Sequence, residues 1–120
     1  MAFSEHTLQR LRHYLKKQGL AFEEKYMFSG VCLMVDDKML VATHVDKNTG
    51  EDMLMCRVGP DAYKEALERE GVTGMQFNGR SMKGYVYVSG PWFQEDADLY
   101  FWLDRCLAYN PMAKASKKKK

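Results

Sequence analysis

The sequence predicts an α+β domain, a two-layer sandwich with helices packed on one face of an antiparallel sheet. Three observations predict it. Segments of strand and helix character follow in the order α, three or four strands, α, two strands, α. The strand segments are joined by short polar reversals, which suit antiparallel neighbours. The chain has 120 residues, of which 46% are hydrophobic and 28% charged, which fits one domain with one core.

Each element has a local reason. Ser4 is placed to cap a helix over 5–18, with Gly19 at its end. Leu8, Leu11, Tyr14 and Leu15 share one helical face, and His6, Arg10, His13 and Lys17 form the opposite, polar stripe. Residues 22–28 read as a first strand. Val31–Val35 and Met39–Val45 are apolar runs around Asp36-Asp37-Lys38, which predicts a hairpin. The polar turn DKNTGED (46–52) leads to a strand over 53–58. Gly59-Pro60-Asp61 opens a second helix, where proline suits the first position, and Gly71 ends it. Two short strands, 75–78 and 84–88, flank a glycine-framed reversal. Gly90-Pro91 breaks the chain, and a third helix runs over 94–109 with Leu99, Trp102, Leu103, Cys106 and Leu107 on its apolar face. Asn110-Pro111 stops it. Residues 1–112 are expected to form the domain, and 113–120 a disordered lysine-rich tail.

The formal net charge of +2 sits in that tail. Without Lys117–Lys120 the chain has 14 Lys+Arg against 16 Asp+Glu. A basic domain face, the usual footprint of a nucleic-acid binder, is therefore not expected. Cys32, Cys56 and Cys106 lie far apart in apolar segments, in no zinc or disulfide pattern. They read as buried thiols of a reducing compartment, so the expected location is cytoplasmic. No apolar run approaches the roughly 20 residues of a membrane span.

The segment Met75–Val88, MQFNGRSMKGYVYV, is the most distinctive. With Met27-Phe28-Ser29-Gly30, Lys38-Met39, Leu54 to Val58 leading into Gly59-Pro60, Tyr63, Ala66-Leu67, Trp102 and Ala108-Tyr109, it resembles the N-terminal domain of the TfoX/Sxy family of competence regulators. Its hallmark is Phe77-x-Gly79-Arg80-x-Met82-x-Gly84-Tyr85. The likeness spans about residues 22–109. Ser29 stands where the family usually has a glycine, and Leu40 where an aromatic is common. The resemblance implies a stand-alone version of that domain. It also implies a strongly curved sheet like that of type III secretion chaperones, and it carries over no cofactor and no catalytic residue.

No residue set announces a reaction. His6 and His13 share a helix face but lie about 10.5 Å apart along it at 1.5 Å per residue, too far for one metal ion with bonds of about 2.1 Å. The cysteines lack the electropositive, exposed setting of a reactive thiol. Asp36-Asp37 and Asp96/Asp98 suit a turn and a helix start. The expectation is no catalytic residue, no metal and no cofactor.

Three candidate interaction features remain. The first is the loop Gly79, Arg80, Met82, Lys83 and Gly84. Its cations would meet a phosphate or a carboxylate, or its glycines would serve backbone geometry alone. The second is an outer sheet face. Val86 and Val88 are expected to face the helices, which leaves Tyr85 and Tyr87 on the other side, and Met53 and Met55 alternate likewise with Leu54 and Cys56. That face is either an apolar binding patch or is covered by curvature and loops. Phe101, an aromatic on a polar helix face, is grouped with it as a contact residue. The third is Lys117, Lys118, Lys119 and Lys120, a polyanion contact or a solubilising tail. The expected role is non-enzymatic: a regulatory module that binds a protein partner, with a homodimer in view. The alternatives are a nucleic-acid accessory protein using the tail with Arg80 and Lys83, and a small-ligand binder or enzyme.

Overall fold

A computed structural model of the chain describes the backbone of residues 3–27, 30–77 and 80–112. Helix α1 (Glu5–Lys17) is followed by strands β1 (Glu23–Met27), β2 (Gly30–Val35), β3 (Lys38–Val45) and β4 (Asp52–Arg57). Helix α2 (Pro60–Leu67), strands β5 (Val72–Phe77) and β6 (Arg80–Ser89), and helix α3 (Asp96–Tyr109) complete it. The strands form one antiparallel six-stranded sheet in the order β1-β2-β3-β4-β6-β5. The expected α+β architecture is what the chain adopts.

Local chemistry explains the elements. The Ser4 hydroxyl accepts from the Thr7 N–H at 3.3 Å and caps α1, whose buried face is Thr7, Leu8, Leu11, Tyr14 and Leu15. The β2–β3 turn is Asp36-Asp37, both at positive φ (58° and 63°). Two such central residues make the tight hairpin turn whose twist matches the strands. Lys38 already belongs to β3, and its ammonium donates to the Asn110 carbonyl at 3.1 Å. Gly90–Phe93 is not a plain break but a 3-10 turn. Its Phe93 is buried, which delays the start of α3 to Asp96.

The main core lies between the helices and one sheet face. Leu8, Leu11 and Leu15 from α1 and Leu99, Trp102 and Leu103 from α3 join Leu33, Val41, Leu54, Val86 and Val88 from the sheet. Burying each such aliphatic side chain contributes about 1.5–3 kcal/mol. Polar ties fix the helix layer at its margins. Tyr14 donates to Asp104, Thr7 donates to Asp52, and the Arg12 guanidinium grips Glu24 at 2.5 and 2.8 Å.

Candidate functional site

The expected interaction loop is, for the most part, strand. Arg80, Met82, Lys83 and Gly84 all lie in β6, and Gly79 falls outside the described residues. Gly84 is a close-approach residue rather than a loop hinge. It is buried at φ +93°, and a Cβ there would sit 3.2 Å from the Gly59 carbonyl carbon. The Gly84 carbonyl accepts from the Val58 and Gly59 N–H groups at 2.8 and 3.1 Å. It thereby ties β6 to the entry of α2. Lys83 is exposed. Lys117, Lys118, Lys119 and Lys120 lie outside the described residues.

The outer sheet face carries a second cluster: Cys32, Met34, Met39, Ala42 and Met55, with Tyr85 and Tyr87 packed against it. The alternation of faces is as the sequence predicts, but the face is not an open patch. Met55 is only 2% exposed, and Met53, Tyr85 and Tyr87 are half-buried. Registry explains the crowding. Lys25, Cys32, Ala42, Met55, Tyr87 and Thr73 stand in one row across all six strands, so each side chain shields the next. Burial pushes the Cys32 thiol up to about 11 and also raises the Tyr87 phenol. Burial holds His44, edge-on to Tyr87 with ring centroids 5.7 Å apart, below the ordinary imidazole value, against the opposing charges of Asp46 and Asp52. The Cys56 thiol, on the helix-covered side, is raised by its hydrogen bond with Cys106 and by burial. Thiols held protonated are poor nucleophiles.

Phe101 does not join that face. It packs against the helix-side core, where its ring lies close to two guanidiniums. The Arg69 and Arg105 carbons are 4.1 and 3.8 Å from the ring centroid. Arg105 arrives by the four-residue helical spacing. Arg69 arrives from the segment between α2 and β5. Neither arginine forms an ion pair among the described residues. The negative face of the ring attracts both cations. Beside them Trp92 is 43% exposed, and its indole lies on Gly71, where any Cβ would overlap it. Arg69, Glu70, Trp92, Asp98, Phe101 and Trp102 line a cleft of about 270 Å³.

This patch was only partly within reach of the sequence. Phe101 stands out, and its spacing to Arg105 is a visible signal. Nothing local connects Arg69 or Trp92 to it. Among the described residues, no three His, Cys, Asp or Glu side chains come together as a metal site, and no helix is long and apolar enough to cross a membrane.

A small open antiparallel sheet with one helix-covered face, and with an arginine-and-aromatic patch on the helix layer, defines an α+β domain. Residues 14–109 match the family described as the TfoX N-terminal domain, and the chain belongs to that family. It is in this sense a competence-regulator-like module. The match runs from the last turn of α1 to the end of α3 and includes Arg69, Trp92, Phe101 and Arg105. No curated protein matches the chain.

Proposed function

We propose that this protein is a non-enzymatic regulatory module of the cytoplasm that acts by binding another protein through the patch around Phe101. The process is the regulation of competence or transcription, by family membership. One observation carries the reading: an exposed tryptophan beside a phenylalanine stacked with two guanidiniums that have no ion-pair partner among the described residues. Tryptophan and arginine are the residue types most enriched where binding energy concentrates. Stacked guanidiniums lose less freedom on meeting a carboxylate than mobile ones. The outer sheet face supports such a role less well, because Met55 has almost no surface to offer.

The test is quantitative affinity capture from the native cell, with the wild-type chain and a Trp92→Ala/Arg69→Ala variant as baits. The expected outcome is a partner retained by the wild type and depleted at least about tenfold with the variant, since loss of hot-spot residues costs 2 kcal/mol or more. Equal recovery by both baits overturns the assignment of the patch.

A further inference from the structure

The two edges of the sheet are built differently. β1, at one edge, is Glu-Glu-Lys-Tyr-Met, with three charges in five residues. Charged edges are how sheets discourage further pairing. β5, at the other edge, is Val-Thr-Gly-Met-Gln-Phe, with no charge and no proline. Helix α2 reaches β5 on the helix-covered face. A Cβ at Gly74 would lie 3.1 Å from the Tyr63 hydroxyl and 3.6 Å from Leu67 Cδ2.

The hydrogen-bond phase of β5 follows from one contact. The Ser89 N–H donates to the Gly71 carbonyl at 3.0 Å, so the 71/89 pair is of the hydrogen-bonded kind. Such pairs alternate along an antiparallel ladder. Thr73, opposite Tyr87, therefore directs its N–H and C=O inward to β6. Val72 and Gly74 direct theirs outward, where no described strand meets them. The irregularity of this ladder adds its extra residues to β6, since Gly74 pairs with Val86 and Gln76 with Ser81.

We propose that β5 is a docking edge for a second copy of this chain, pairing antiparallel with the partner's β5 about a two-fold axis. The strand itself, Val72–Phe77, contains none of the residues around Phe101, although Glu70 just before it lines the cleft beside them. A neutral strand meets no like charge when paired with itself. Its flanks differ in sign: Glu68-Arg69-Glu70, with one net negative charge, precedes it in sequence, and Arg80 and the exposed Lys83 follow it. An antiparallel two-fold brings the acidic end of each copy toward the basic end of the other, twice. Pairing β5 with β1 would instead place Glu23, Glu24 and Lys25 in the joint, and such a head-to-tail contact leaves a free edge on each copy for a further one unless it closes into a ring.

The experiment is sedimentation of the full chain over a range of concentrations, combined with residue-resolved amide exchange. The expected result is a dimer. As it forms, the Val72 and Gly74 amides slow at least about tenfold, while the Thr73 amide, already bonded within the sheet, changes little. Gly74→Pro removes an outward N–H and is expected to give a folded monomer by circular dichroism. Trp92→Ala is expected to dimerise like the wild type. A chain that stays monomeric throughout overturns the proposal. So does a dimer in which the Val72 and Gly74 amides exchange as fast as in the monomer, and this second readout holds even if Gly74→Pro fails to fold.

Discussion

Leu54 and Met55 are neighbours in β4, both buried, yet they belong to different interiors. Leu54 points into the core beneath the helices. Met55 points the other way, into a small cluster of sulfur-bearing side chains and alanine edged by two tyrosines. Leucine and valine have few rotamers and hold a defined shape against a helix. Methionine adapts to irregular space. The sheet thus has one face that specifies the fold and one that fills itself by packing side chain on side chain along the strand rows.

The difference is open to breakage. Leu54→Ala opens a cavity bounded by both layers and is expected to cost about 3–5 kcal/mol in urea denaturation, whereas Met55→Ala is expected near 2 kcal/mol because its flexible neighbours collapse inward. Equal losses would mean that the second cluster is as rigid as the first. Gly84→Ala comes next. Its positive φ and its contact with the Gly59 backbone set a cost of about 1–3 kcal/mol, read as a lowered midpoint without change of slope. A smaller effect tests the Met-rich face through His44. Its imidazole is held below the usual 6.5 by burial, so its neutral form stabilises the fold above about pH 6.5, and that contribution is lost as pH falls through the depressed value. His44→Gln is expected to flatten thermal stability against pH over that window. The smallest effect belongs to the margin. The hydrogen bond from Arg12 holds the Glu24 carboxyl below its ordinary 4.5, and this contribution disappears as pH falls below that value. Both side chains are partly exposed, so a double-mutant cycle is expected to give about 1 kcal/mol or less.

Much of this architecture is legible in the residues. The Leu8/Leu11/Leu15 spacing gives α1 and its buried face. Alternation in 53–58 and 84–88 assigns Leu54, Cys56, Val86 and Val88 to the helix side and Met55, Tyr85 and Tyr87 to the other. Alternation says which face a residue takes, not how much covers it, so the burial of Met55 had to come from the six-strand row. Gly79 and Gly84 read alike as turn residues, but Gly84 answers to the backbone of Gly59, a neighbour 25 positions away that no local pattern reveals. The same distance problem hid the patch. Phe101 and Arg105 are one helical turn apart, while Arg69 and Trp92 reach them only through the fold.

We propose the helix layer, rather than the outer sheet face, as the working surface. Parallel affinity capture with the wild type, Trp92→Ala/Arg69→Ala and Tyr87→Asp, each first verified as folded by circular dichroism, tests this most directly. The expected result is loss of the partner with the first variant and its retention with Tyr87→Asp. Retention by Trp92→Ala/Arg69→Ala with loss by Tyr87→Asp would contradict it and return the function to the methionine and tyrosine face.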